Sequence, residues 1–245
     1  MKVKGSIALV TGANRGVGRA TINVLMEQGA SKVYATARDA SKIADLAAAF
    51  PGKVEALALD ITKPDQVSAA ALRAKDVNLL INNAGVNKMK GFIAADSIDH
   101  ARAEMEANYF GTLAMCRAFA PVLKANGGGA IINVASIAAR VTIPMLGSYC
   151  GSKWALFSLT QGVRAELAKQ GTLVISVNPG AIDTDMAKGM DMAKLDPADV
   201  ARQSLKAVDE GVEDIYVGDM AQGTIRGVRA DEKAVEKQLA DMLPM

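Results

Sequence analysis

The sequence predicts an α/β fold, a doubly wound parallel sheet of about seven strands with helices on both faces. Three observations predict it. Short apolar runs alternate with longer helix-like segments, a glycine-rich turn separates the first run from the first helix, and no Pro/Ser-rich linker or internal repeat breaks the pattern. Strands alternating with helices pair in parallel through right-handed crossovers, which covers both sheet faces. One domain over residues 1–245 accommodates the pattern.

Taken in order, Ser6–Val10 reads as a strand, Val17–Gln28 as a helix and Lys32–Thr36 as a second strand. Ala40–Phe50 reads as a helix stopped by Pro51-Gly52, and Val54–Ala58 as the third strand. The helix Pro64–Arg73 opens on a proline, which suits a first helical turn. Then follow the strand Leu79–Asn82, the long helix Ile98–Leu123, the strand Ala130–Val134, the helix Tyr149–Lys169 and the strand Leu173–Val177. The helix Pro197–Glu210 and the strand Asp214–Val217 complete the core, and a tail from Ala221 has helical character over Asp231–Met242.

Composition narrows the function. Lys plus Arg number 28 against 26 Asp plus Glu, without a basic cluster, and aromatic residues are 4% of the chain, so a nucleic-acid partner is not expected. With two cysteines and one histidine, the chain has little material for a disulfide framework, a zinc cluster or a histidine-based triad, and no metal is expected. The start MKVKGSIALV reaches a glycine before any apolar run of signal-peptide length, and no apolar run approaches the roughly 20 residues of a membrane span. A cytoplasmic protein without a membrane partner is the expectation.

After the first strand comes Thr11-Gly12-Ala13-Asn14-Arg15-Gly16-Val17-Gly18, running into a helix. Such glycines permit a sharp turn and let backbone N–H groups approach a pyrophosphate at a helix N-terminus. At the tip of the second strand, where an acid would hold a ribose 2′-hydroxyl, stand Ala37 and Arg38. Together with Arg15 they favour NADP(H), whereas a two-residue shift would put Asp39 beside the ribose and favour NAD. Asp60, with Ile61 beside it, closes the third strand as an adenine contact or a local helix cap. Asn82-Asn83-Ala84-Gly85 closes the fourth, with Ala84 and Gly85 permitting close cofactor approach and Asn82 able to tie strands together.

Tyr149 and Lys153 are four apart on a predicted helix and so share a face. A lysine cation beside a phenol favours the phenolate and should lower its pKa. Ser136 brings a hydroxyl to the same carboxyl rim. Asn108 stands inside the long helix, where an amide has poor propensity, either as a water-bridged kink or as part of a proton relay.

On these motifs the chain resembles the short-chain dehydrogenase/reductase family in its compact single-domain branch, over Ser6–Gly218. The resemblance implies a Rossmann fold and hydride transfer between NADP(H) and a carbonyl/alcohol pair. It implies that Ser136 and Tyr149 bond the substrate oxygen, that Tyr149 passes the proton, and that Lys153 holds the nicotinamide ribose. Asn108 would hold a water linking Lys153 to solvent, and Pro179, Gly180, Ile182 and Thr184 would line the nicotinamide. It also implies a homodimer or homotetramer through the Ile98–Leu123 and Tyr149–Lys169 helices, whose Phe110, Leu113, Phe119, Trp154, Phe157 and Leu159 exceed what one sheet face needs.

The expected substrate pocket is apolar and methionine-rich, with Met89, Ile137, Ile143, Met145, Met186 and Met190, and with Val141, Leu146 and Met192 nearby. The resemblance further implies a substrate lid at residues 185–196, short here, for which Gly189 would serve as the hinge. The expected substrates are small to medium lipophilic ketones or aldehydes. A 3-oxoacyl thioester reductase and a non-catalytic NADP-binding redox sensor are the competing readings.

Overall fold

The computed structural model describes residues 1–189 and 191–244 of the chain. Its seven-stranded sheet has the order β3-β2-β1-β4-β5-β6-β7, from β1 (Ile7–Val10), β2 (Lys32–Ala37), β3 (Val54–Ala58), β4 (Leu79–Asn82), β5 (Gly129–Val134), β6 (Thr172–Pro179) and β7 (Asp214–Val217). All neighbours are parallel. Chain order reverses between β1 and β4, and in open α/β sheets the crevice beyond the strand ends at such a reversal is where ligands bind.

Each central strand is apolar on both faces, as a doubly covered sheet requires. Ala8, Val10, Leu79, Ile81, Ala130 and Ile132 enter one core with residues of α1 (Gly16–Glu27), α2 (Ala44–Ala49) and α7 (Pro197–Glu210). The alternate residues Leu9, Leu80, Ile131 and Val174 enter a second core with α3 (Pro64–Arg73), α5 (Thr112–Ala125) and α6 (Ser148–Leu167).

Three helices differ from the sequence reading. Ala40–Phe50 is a 3₁₀ turn over Ala40–Ile43 followed by α2, because the Asp39 carboxylate accepts from Ser41 N–H at 2.9 Å and fixes a tighter start. The long helix is α4 (Asp99–Met105), a π-helical turn over Glu106–Gly111, and then α5. Gly111 lets this π turn approach Ile61, since a Cβ there would sit 2.8 Å from Ile61 Cδ1.

The tail begins earlier than expected, as α8 (Asp219–Leu239) with a break at Asp231 (φ −157°, ψ 94°). Asp231 Oδ1 accepts from Ala234 N–H at 2.9 Å, an N-cap bond that restarts the helix where the sequence reading had it begin. Gly227 permits a tight return at this bend, since a Cβ there would lie 2.9 Å from Val235 Cγ2.

Of the apolar residues expected at a subunit contact, Phe119 and Phe157 are buried in this chain, whereas Phe110 and Trp154 are 50% and 40% exposed. Among the described residues, no helix is long and apolar enough to cross a membrane.

Candidate active site

The glycine turn is fixed to the end of β4. Thr11 N–H donates to Ile81 O at 2.9 Å, and Thr11 Oγ1 accepts from the N–H groups of Asn83 and Ala84 at 2.9 and 3.0 Å. Asn83 Nδ2 then donates to the carbonyls of Thr11 and Gly12. Gly12 (φ +67°) takes a left-handed conformation with Ala84 Cα only 3.0 Å from where its Cβ would stand. At Gly18 a Cβ would sit 2.2 Å from Gly12 O, so this glycine brings α1 up against the turn rather than lining the cleft. The Arg15 side chain precedes α1 without making a capping bond, which leaves the first-turn N–H groups available to an anion.

A cleft of about 1360 Å³ runs along the carboxyl rim of the sheet. That exceeds the roughly 300–1,000 Å³ of a typical small-molecule pocket and suits a dinucleotide with a substrate beside it. Gly12, Asn14, Arg15, Gly16 and Val17 line it from the turn and the start of α1, Ala84 and Gly85 from the loop after β4, and Pro179, Gly180, Ile182 and Thr184 from the end of β6 and the segment after it. Asn82, expected at the cofactor, instead points into the interior, where Nδ2 donates to Asn133 Oδ1 at 2.9 Å; this ties β4 to β5. Its neighbour Asn83 is the asparagine that lines the cleft.

At the end of β2, Ala37, Arg38 and Asp39 all line the cleft. The Asp39 carboxylate accepts from both the N–H and the hydroxyl of Ser41, so it is committed to its own turn. Asp60 does not cap α3, whose N-cap is Lys63. Burial opposes its ionisation, but bonds from Thr62 N–H at 3.0 Å and Thr62 Oγ1 at 2.8 Å, with Arg38 and Lys63 near, hold it below the usual carboxylate range. Arg15 reaches across to the segment after β6, where its Nη1 donates to Asp185 Oδ2 at 2.6 Å.

Ser136, Tyr149 and Lys153 all line the cleft, with Lys153 Nζ 5.7 Å from the centre of the Tyr149 ring. Ser136 follows β5 and caps the 3₁₀ turn Ile137–Ala139 by accepting from Ala138 N–H at 3.1 Å. Tyr149 and Lys153 lie one turn apart in α6, 8% and 5% exposed. Lys153 Nζ donates to Val134 O at 2.9 Å. Burial pushes the Tyr149 phenol above its ordinary value, and the Ser136 hydroxyl offsets this only in part. Burial also pulls Lys153 down to about 8. Desolvation is thus the largest influence on both groups and favours both neutral forms, in place of the expected lowering of the phenol pKa by lysine.

Asn108 lies in the π turn and is fully buried behind the cleft wall. Its Oδ1 accepts from Val86 N–H, and its Nδ2 donates to Val86 O and Ser152 Oγ, all within 2.8–2.9 Å. Sequence reasoning missed Glu104, 1% exposed, whose carboxylate accepts from Lys88 N–H at 2.7 Å and Ser148 Oγ at 2.5 Å. It joins the loop after β4 to the start of α6, next to Tyr149. An acid amid polar neighbours in a helix carries no mark of burial in the sequence.

The apolar end of the cleft contains Met89, Ile137, Ile143, Met145 and Met186, with Val141, Leu146 and Met192. Met190 lies outside the described residues. The two ends of the segment expected to form a lid are tied together, with Leu195 N–H donating to Ala181 O and Asp183 N–H to Leu195 O, both at 2.9 Å. Met220, Thr224, Leu239 and Met242 also line the cleft and were not anticipated: Met220 stands at the start of α8 beside Gly180, whereas Leu239 and Met242 lie beyond the bend at Asp231.

The family model for short chain dehydrogenases matches residues 6–194. An uncharacterised oxidoreductase of Staphylococcus saprophyticus is 32% identical over 221 residues, covering 86% of this chain and 94% of its own. A short chain dehydrogenase from Burkholderia cenocepacia, solved in complex with NADP, superposes with a TM-score of 0.93 at 46% identity, covering 98% of this chain and 99% of that one. A second structure, a short chain dehydrogenase/reductase from Burkholderia phymatum in complex with NAD, has a TM-score of 0.85 at 25% identity, with 96% of each chain covered. On sheet order, site residues and these matches together, the chain belongs to the short-chain dehydrogenase/reductase family of oxidoreductases.

Proposed function

We propose that this oxidoreductase is an NADPH-dependent carbonyl reductase of lipophilic ketones or aldehydes, reversible as an alcohol dehydrogenase. The observation that carries the reading is the convergence of Ser136, Tyr149 and Lys153 in one cleft, between the glycine turn and a methionine-rich wall. The residues present fit the cofactor. The turn has no Cβ at Gly12 or Gly16, the first-turn N–H groups of α1 suit a pyrophosphate, and Arg38 and Arg15 suit a 2′-phosphate while Asp39 is occupied by Ser41. The Burkholderia cenocepacia relative, crystallised with NADP, supports the same choice.

When bound, NADPH supplies the hydride that reduces the carbonyl carbon. Ser136 Oγ and Tyr149 Oη orient the carbonyl oxygen by donating to it, which counters the negative charge that develops there. Tyr149, held protonated by burial, delivers its proton to that oxygen. The Lys153 ammonium then stabilises the phenolate left behind, and with a pKa of about 8 it can pass a proton back near neutrality. Asn108 holds Val86 and Ser152 in place on either side of this centre.

A homo-oligomer belongs to the same reading, with Phe110 and Trp154 as exposed apolar contacts. The thioester alternative would draw on a basic rim at Lys88 and Lys188, which line the cleft, but Arg140 is taken up by Tyr216 Oη at 3.0 Å. The test is turnover of ketones, aldehydes and acyl thioesters with NADPH, followed by loss of nicotinamide absorbance. Ketone or aldehyde turnover that falls roughly 10²-fold or more in Tyr149→Phe is expected; thioesters as the sole substrates, or a Tyr149→Phe loss under tenfold, would overturn the reading.

A further inference from the structure

The family match ends at residue 194, yet the chain continues through α8 into a tail that returns to the cleft. Two contacts dock it. Met145 N–H donates to Met242 O at 2.8 Å, and Pro244 packs on Gly91 so closely that a Cβ there would lie 2.6 Å from Pro244 Cγ. Leu239 and Met242 thereby join Met89 and Met145 in lining the apolar end. We propose that this tail is the outer wall of the substrate site and sets the size of the apolar group accepted beside the carbonyl, with Leu239 and Met242 as the selecting side chains. The inference rests on the carbonyl-reductase reading and adds which residues discriminate among substrates.

The wall stands on local chemistry. A backbone hydrogen bond and a glycine-proline contact hold the tail by its main chain, while its two apolar side chains are left to face the cleft. Methionine and leucine there favour an alkyl or aryl group over a charged one, and methionine adapts its shape to the group presented. Removing them enlarges the site at the end remote from the cofactor turn, so bulky substrates gain relative to compact ones.

The experiment compares the intact enzyme with a chain ending at Gln238 and with a full-length Leu239→Ala, Met242→Ala double variant. The kcat/KM ratio of benzophenone to 2-pentanone is measured with NADPH, together with the NADPH dissociation constant and the melting temperature. A rise in the ratio of fivefold or more, with NADPH affinity within twofold, is expected in both variants. A smaller rise in the folded double variant overturns the proposal, as does a matching loss of NADPH affinity, which would make the tail a general brace. If the shortened chain does not fold, the double variant decides. Absence of ketone turnover by the intact enzyme would remove the reductase reading, and the wall with it; turnover with an unchanged ratio would remove the wall alone.

Discussion

Asn108 grips both main-chain groups of Val86, accepting from its N–H at 2.8 Å and donating to its carbonyl at 2.9 Å, while also reaching Ser152 Oγ. The loop after β4 and helix α6 thus meet on one fully buried amide of the π turn. Asn108→Ala would leave these groups unpaired and should cost roughly 2–3 kcal/mol of stability, read by urea denaturation. Turnover should fall as well, because Ser152 lies next to Lys153 in α6. A stability change under about 0.5 kcal/mol would contradict this role.

Lys153→Met keeps the length of the side chain and removes its charge. The folded pKa of about 8 lies below the ordinary 10.5, so between those values the unfolded chain binds the proton more tightly. Wild-type stability therefore rises with pH across that window, and the penalty of the buried ammonium is complete below it. The variant should be about 1–3 kcal/mol more stable than wild type near pH 7. That advantage should shrink between pH 8 and 10.5, while activity is lost. Denaturation curves at several pH values give the comparison, and a pH-independent difference would count against it.

Arg38→Asp replaces the cation at the end of β2 with the acid that a ribose 2′-hydroxyl prefers. NADPH binding should weaken by about 1.5–3 kcal/mol, and NADH use should improve. The ratio of kcat/KM values for the two cofactors measures this directly. An unchanged ratio would take Arg38 out of cofactor recognition.

Arg15 and Asp185 pair at 2.6 Å with side chains 68% and 64% exposed, so the pair is screened and weak. Asp185→Asn frees the guanidinium for a 2′-phosphate and should tighten NADPH binding roughly two- to fivefold at low salt. The gain should fade at high ionic strength, as exposed charge effects do. Titration of NADPH by fluorescence at two salt concentrations distinguishes this from no effect.

The sequence is most readable where backbone chemistry is local. Pro64 and Pro197 open α3 and α7, Gly211 takes the left-handed position after α7, and these elements have the bounds that their residues predict. The apolar runs of β3, β4 and β7 likewise match residue for residue. At the site, the glycine turn, Ser136, Tyr149 and Lys153 can be picked out because each sits at a strand end or at helical spacing. Asn108 hides its partners because Val86 is 22 residues away and Ser152 is 44. Asn82 and Asn83 are both plausible cleft residues by type. Strand alternation sends the first inward, and no composition rule chooses between them. The tail was least readable of all, because Gly223 and Gly227 weaken the helical signal of α8 before Asp231 bends it back.

The cleft draws its lining from Gly12 at one end of the chain to Met242 at the other. During synthesis, the turn, the rim after β5 and the start of α6 are available long before the residues that face Met145 leave the ribosome. Contacts of such long sequence separation form late, since loop-closure entropy must be met first. A nascent or carboxyl-terminally nicked molecule would thus have its nucleotide end assembled while its other end stood open. Proteolysis near the end of α8 would then change what the enzyme accepts before it changes whether the protein is folded.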